Sequence, residues 1–377
     1  MKIRAAVLSE MGAQAPYEKS QPLQIKTVEL APPGNDEVMV KIAAAGLCHS
    51  DLSVINGDRP RPMPMALGHE AAGIVAALGE GINDLAIGDH VVMTFMPSCG
   101  HCLPCAEGRP ALCEPGAAAN GAGELLSGGR RLTQDGDMIN HHLGCSAFAD
   151  YAVVSRRSLV KVDKNLSLEE AALFGCAVLT GVGAAINTAA IRMGQSAVII
   201  GLGGVGLATV IGCLSAGVSK LIAVDLSPEK QELAKSIGAT HVVNASDADA
   251  VEQVREITSG GADVAFEMAG SILALENAVA MTRRGGMTVT AGLPPPDQNL
   301  LVNVVSLVAE ERTIKGSYIG SCVPVRDIPR YVEMYKAGKL PVDRLLSGYL
   351  ELDEINAGFD RLQAGTAVRQ IITFDHN

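Results

Sequence analysis

The sequence predicts an α/β chain in two parts: a mostly antiparallel, barrel-like β region, then a doubly wound parallel sheet. Three observations carry this. Short apolar runs broken by Gly, Pro and Asp fill the first half, strands alternate with helical segments from about Thr180, and a strand, a glycine turn and a helix follow one another between Ser196 and Asp225.

In the first half the apolar runs near Ala5, Leu23 to Val28, Glu37 to Ala44, Ala72 to Ala77, His90 to Thr94 and Phe148 to Val154 read as strands. Residues 114 to 144 show little apolar periodicity and much Gly, so they are expected to form a long loop. In the second half Pro228 to Ile237, Ala250 to Ile257 and Leu273 to Met281 read as helices. Between and after them His241 to Val243, Ala262 to Glu267, Met287 to Ala291 and Thr313 to Gly316 read as strands. Beyond Gly320 the alternation lapses into two helices, Arg326 to Ala337 and Leu352 to Gln363, and a last strand, Gln370 to Phe374. That tail is too short for another nucleotide-binding half, so it is expected to return to the first part, giving segments 1–178, 179–319 and 320–377. A length of 377 residues fits two or three domains.

A net charge of −11 leaves no excess of Lys and Arg to displace counterions, which argues against a nucleic-acid partner and for a small molecule. The N-terminus shows no signal-peptide pattern. Ala197 to Leu214 is apolar except for Thr209 and would pass for a membrane span, but its five glycines favour a buried strand and helix. Nine cysteines is an odd number, and four of them fall within fifteen residues. Metal binding therefore outranks disulfides, and a cytoplasmic location is expected.

The strand at Ala197 to Ile200 ends at Gly201, and Gly201-Leu-Gly203-Gly204-Val205-Gly206 opens a helix. Gly201 makes the turn, Gly203 lets the backbone approach a pyrophosphate, and Gly206 allows close strand-to-helix packing. The helix N-terminus offers free N–H groups to the phosphates. Asp225 ends the next strand nineteen residues after Gly206, where an acid can accept a hydrogen bond from a ribose hydroxyl and repel a 2′-phosphate, so NAD is favoured over NADP.

Cys99, Cys102, Cys105 and Cys113 are spaced three, three and eight apart among turn-forming Gly and Pro residues. Four thiolates surround a tetrahedral ion at about 2.3 Å and leave no open position, so this is expected to be a structural zinc. His101 reads as a spacer. A second set is discontinuous: Cys48-His49-Ser50-Asp51, Gly68-His69-Glu70, and Cys176 ahead of the glycine turn. Each alone is ambiguous, since a buried Cys also serves as a small hydrophobe.

Together GHEAAGIV at 68–75, the Cys99 to Cys113 cluster, GCAVLTG at 175–181, GLGGVG and Arg369 resemble, in their order, the zinc-dependent alcohol dehydrogenases of the medium-chain dehydrogenase/reductase superfamily, with a class III-like branch in view. The resemblance implies a GroES-like catalytic domain and a Rossmann cofactor domain. It implies a catalytic zinc on Cys48, His69 and Cys176 with a fourth position for water or an alcohol, and two zinc ions per chain in all. Ser50 would hydrogen-bond the substrate oxygen and begin a proton relay, and His49 would lie near the cofactor pyrophosphate and pass the proton on. Ser53 stands where some members carry a relay His. Asp51 would accept the second N–H of His69, and Glu70 would lie behind the metal. Thr180, Gly204 and Val205 would run along the cofactor, with Lys230 near the adenosine ribose and Arg369 at the pyrophosphate; Phe95 would line the substrate pocket.

The 114 to 144 segment and GCAVLTGVGAAINTA are similar to the branch that includes glutathione-dependent formaldehyde dehydrogenases, yet the Arg which that branch places four residues beyond the last structural cysteine is Ala117 here. Without that charge a carboxylate loses its partner. A primary alcohol or aldehyde, aliphatic or aromatic, is therefore expected ahead of the glutathione adduct, with a non-catalytic nicotinamide-binding scaffold as a further alternative. The length of the segment resembles dimeric members, so a homodimer is expected and a tetramer is the alternative.

Overall fold

The computed structural model describes residues 1–374. The chain divides into two compact units: Met1–Cys176 with Val323–Pro329 and the segment from Leu346 onward, and Ala177–Cys322 with Arg330–Leu345.

In the first unit five strands close a barrel in the order Lys2–Leu8, Leu23–Leu30, Leu132–Gln134, Asp137–His141, Met65–Ala66. Alternation dictates its core: Ile3, Ala5 and Val7 face inward with Val28, Leu30, Leu132 and Ile139. A second sheet runs Leu159–Val162, His90–Met93, Ala71–Leu78, Glu37–Gly46, Arg369–Thr373, Leu346–Leu350, and Tyr151–Ser155 also pairs with Glu37–Gly46. Flanked on both sides, Glu37–Gly46 is mostly buried, and its apolar run is that of a central strand.

Registers in this sheet converge at one end of Glu37–Gly46. Ala45 lies opposite Ala71 and Gly46 opposite Ile371. The Gly46 N–H donates to the Glu70 carbonyl at 2.7 Å, and the Leu47 N–H to the Gln370 carbonyl at 3.0 Å. Cys48, His69 and Arg369 are therefore neighbours by register although they are far apart in sequence. Cys176 reaches the same end through Gly175, where a Cβ would collide with the Met93 carbonyl.

The second unit is a six-stranded parallel sheet in the order His241–Asn244, Lys220–Asp225, Ser196–Ile200, Ala262–Glu267, Thr282–Thr290, Thr313–Gly316. Val198, Ile200, Ile222, Val224 and Val243 form its core with Ala278 and Met281 of the helix Ile272–Met281. Such fully covered parallel strands read as continuous apolar runs. The doubly wound sheet and the barrel-like region are both present, as the sequence predicts. Among the described residues no single helix is long and apolar enough to cross a membrane. The apolar window at Ala197 to Leu214 is instead a strand and the helix Gly204–Ser215.

The 114 to 144 segment is not the long loop expected. It holds the helix Glu114–Ala122 and two strands of the barrel. The helix buries only Gly116 and Asn120, so it shows no apolar stripe, and the strands contribute just Leu132 and Ile139 to the core. A short helix, His49–Ile55, follows directly on Cys48.

One ion pair, between the half-buried Arg131 and the buried Glu37, ties this segment to the central sheet. Arg131 donates through Nε and Nη2 to the two Glu37 oxygens at 2.7 and 2.8 Å, and the Gly34 N–H adds a third bond at 2.7 Å. Burial alone would raise the Glu37 carboxyl, but Arg131 and Ser127 hold it below the usual carboxylate range. Replacing Arg131 with Met strands a buried carboxylate and is expected to cost about 3 kcal/mol in urea unfolding at neutral pH. A native carboxyl with a lowered pKa stabilises above its unfolded value of about 4.3 and loses that contribution as pH falls through the lower native value. The gap between parent and variant should therefore hold at pH 6 to 8 and narrow below about pH 4.

Candidate metal centres and nucleotide turn

Among the described residues, Cys48, His69 and Cys176 form a buried group whose ligand atoms all lie within 4.8 Å of one another. Cys48 caps the helix His49–Ile55, His69 precedes the strand Ala71–Leu78, and Cys176 follows the turn Leu173–Gly175. A hydrogen bond from the Cys176 thiol holds Cys48 well below the usual thiol range and pushes Cys176 up.

His69 shows how the group is built. Its Nδ1 lies 3.1 Å from both Asp51 oxygens, while Nε2 is buried without a hydrogen-bond partner. A buried polar atom left unpaired costs about 1 to 3 kcal/mol unless something else satisfies it. With the proton on Nδ1 for Asp51, the Nε2 lone pair is left for a cation, and two thiols and one imidazole are a zinc donor set with one open position. The residues present fit such an ion.

Glu70 and Arg369 lie behind this group. Both Glu70 oxygens are buried without hydrogen-bond partners, and burial pushes the carboxyl up to about 7. Arg369 Nη1 sits 3.4 Å from Glu70 Oε2 and donates to the Leu47 carbonyl at 2.9 Å. Arg369 is 3 % exposed, an inward placement that the expectation of a pyrophosphate contact did not include. Phe95 stands edge-on to His69, with ring centroids 5.4 Å apart at 88°. Ser50 is half-buried and His49 exposed in the first turn of their helix, and the Ser53 hydroxyl donates back to the His49 carbonyl at 2.8 Å.

Cys99, Cys102, Cys105 and Cys113 also have their sulfurs within 4.8 Å of one another. Backbone N–H groups point at those sulfurs: His101 and Cys102 toward Cys99 at 3.5 and 3.3 Å, Cys99 and Gly116 toward Cys113 at 3.2 and 3.3 Å. The His101 N–H, with that of Cys102, lowers the Cys99 thiol to about 6. A loop that spends its backbone donors on sulfur is arranged for thiolates. His101 contributes its backbone N–H and is not in the cluster.

In the second unit the glycine turn has a distinct role for each glycine. Gly201 adopts φ +91°, and a Cβ on Gly206 would run into the Gly201 carbonyl. A Cβ on Gly203 meets nothing within 4 Å, so its absence keeps space free outside the helix Gly204–Ser215. Asp225 closes the turn from the next strand, accepting the Leu202 N–H at 2.6 Å and the Ser227 N–H at 2.9 Å. Thr180 lies in the helix Ala177–Gly183, where Gly181 lets that helix press against the Val205 carbonyl and Ala208. Lys230 is half-buried in the first turn of Pro228–Ile237.

Comparison with known proteins agrees with this geometry. Residues 34–164 match the alcohol dehydrogenase GroES-like domain and residues 204–337 the zinc-binding dehydrogenase family. The chain is 38% identical over 368 residues to the alcohol dehydrogenase class-3 of Drosophila melanogaster, spanning 96% of this chain and 97% of that one. The chain belongs to the zinc-dependent alcohol dehydrogenase family. The solved alcohol dehydrogenase zinc-binding domain protein from Burkholderia ambifaria superposes with a TM-score of 0.93 at 36% identity, each chain covered in full (100%). Benzyl alcohol dehydrogenase from Acinetobacter calcoaceticus gives 0.92 at 34%, again with 100% of both chains covered. As a zinc-dependent alcohol dehydrogenase the chain is an oxidoreductase of the medium-chain superfamily.

Sequence reading of this dehydrogenase missed His142, which lies 3.0 Å from Asp51 through Nδ1. No local pattern marks it, because it sits in the stretch read as a loop and meets Asp51 only through folding. The glycine turn gives a direct check. Gly203→Val should leave the melting temperature within about 1 °C of the parent yet weaken NADH binding, whereas Gly206→Val should unfold at lower temperature. Calorimetry and NADH fluorescence titration measure the two.

Proposed function

We propose that this chain is an NAD-linked dehydrogenase interconverting a primary alcohol, aliphatic or aromatic, with its aldehyde. The observation that carries this reading is the buried set of Cys48, His69 and Cys176 with its unpaired Nε2. Zinc held by these three would supply Lewis acidity to a substrate oxygen, and a second zinc held by Cys99, Cys102, Cys105 and Cys113 would be structural.

The chain's own residues do the remaining work. Ser50, two residues after Cys48, holds the substrate hydroxyl proton at its Oγ, and His49 in the same exposed turn carries it toward solvent. The Ser53 hydroxyl is already given to the His49 carbonyl at 2.8 Å, so the exit runs through His49 and not through position 53. Asp51 fixes the His69 tautomer, Glu70 and Arg369 set the charge behind the ligands, and Phe95 walls the substrate side and excludes water. NAD bound here would supply the hydride acceptor. The N–H groups at Gly203, Gly204 and Val205 would hold its pyrophosphate, and Asp225 its ribose with Lys230 and Thr180 nearby. A homodimer in the cytoplasm, acting on a small-molecule alcohol or aldehyde, completes the reading.

The 38% identity to a class-3 alcohol dehydrogenase supports a second reading, with S-hydroxymethylglutathione as substrate. Against it, Ala117 is exposed on the helix Glu114–Ala122 and offers no cation to a glutathione carboxylate. A screen of NAD-linked turnover over short, long and aromatic primary alcohols and S-hydroxymethylglutathione separates the two. The best kcat/KM is expected on a simple alcohol, and a preference for the glutathione adduct would reverse the order. Cys48→Ser should lose turnover and one zinc per chain while keeping NADH binding; undiminished turnover would defeat the ligand assignment. Asp225→Ser should raise the ratio of NADP to NAD turnover, because the carboxylate no longer repels a 2′-phosphate.

A further inference from the structure

One buried titratable side chain beside the Cys48, His69 and Cys176 group has no role in the reading above. His142 is 1 % exposed, its Nδ1 lies 3.0 Å from Asp51 Oδ1, and its ring stands at 90° to that of His69 with centroids 5.5 Å apart. An ionised carboxylate brings no hydrogen, so this close approach favours the tautomer with the proton on His142 Nδ1, in a charge–dipole contact that is not aligned as a hydrogen bond. Oδ1 of Asp51 thus gathers the His142 ring, the His69 ring and the Gly68 N–H at 3.1 Å, all in a volume closed to water.

The backbone around His142 is itself held. The His142 N–H donates to Ser146 Oγ at 3.0 Å, and that hydroxyl donates to the Ala66 carbonyl at 2.8 Å, two residues before Gly68. Leu143 and Ser146 are both left-handed, with φ of +52° and +53°. Two non-glycine residues in that conformation are strain that persists only where the surroundings over-determine the turn. The turn aims one ring at one carboxylate.

We propose that His142 is a positioning residue of the metal centre: its Nδ1–H pins the Asp51 carboxylate that in turn orients the His69 ring toward Cys48 and Cys176. The inference rests on the reading of those three residues as zinc ligands. A carboxylate turns easily about its terminal torsion, and with one ring removed Asp51 keeps the backbone donor and His69 but loses the contact that fixes its plane. Outer partners of ligating histidines typically carry a 10- to 100-fold share of metal affinity.

The test uses the zinc-loaded enzyme with His142→Phe, which removes the donor, and His142→Asn, whose amide N–H stands in for Nδ1–H. Zinc release to a chromogenic chelator is followed beside kcat, KM and the melting temperature, with Cys48→Ser identifying the signal of the catalytic site. His142→Phe is expected to release that zinc about tenfold faster and to lower kcat with KM little changed, and His142→Asn to restore release to within about threefold of the parent. Release from His142→Phe at the parent rate overturns the proposal, even if its melting temperature falls. Equal damage in His142→Asn also overturns it, because ring shape and not the N–H would then matter. If the parent and Cys48→Ser release identical zinc, the ligand reading itself fails and this inference falls with it.

Discussion

The structure turns on a local electrostatic constraint: three metal-type donors gathered where water cannot reach, one of them an imidazole nitrogen with nothing to bond. Interiors do not leave such an atom unpaired without cause, since no solvent compensates it. The surroundings are built to keep it so. Asp51 takes the other nitrogen of His69, the Cys48 and Cys176 sulfurs lie within 4.8 Å of the imidazole, and Arg369 and Glu70 lie buried against one another behind them. Each of these groups would be costly alone, and together they describe a site prepared for a cation.

What holds the site is strand register rather than local sequence. The end of Glu37–Gly46 pairs on one side with Ala71–Leu78 and on the other with Arg369–Thr373, so three segments deliver Cys48, His69 and Arg369 to the same edge. A slip of one residue in either pairing would turn alternate side chains to the opposite face and separate the donors. The pair of buried Glu37 and half-buried Arg131 anchors the far end of that same central strand. Stability of the barrel and integrity of the site are therefore linked through one element.

Much of this was legible before any coordinates. The parallel sheet appears strand by strand where apolar runs alternate with helical ones, and Ala262–Glu267 and Thr313–Gly316 match to the residue. Continuous burial leaves an unmistakable pattern there. The four-cysteine loop is legible because its members are close in sequence. The 114 to 144 segment was not, since its helix buries a Gly and an Asn and its strands span three and five residues, too little for periodicity to register. His142 and the inward placement of Arg369 were hidden for a different reason: both depend on partners that only folding brings near.

Anomalous diffraction at the zinc absorption edge, on crystals of the protein grown without added metal, tests the central claim most directly. Two peaks per chain are expected, one among the sulfurs of Cys99, Cys102, Cys105 and Cys113, the other touching Cys48 Sγ, His69 Nε2 and Cys176 Sγ. A bond between the sulfurs of Cys48 and Cys176 in place of the second peak, or a zinc seated away from His69, would contradict the account.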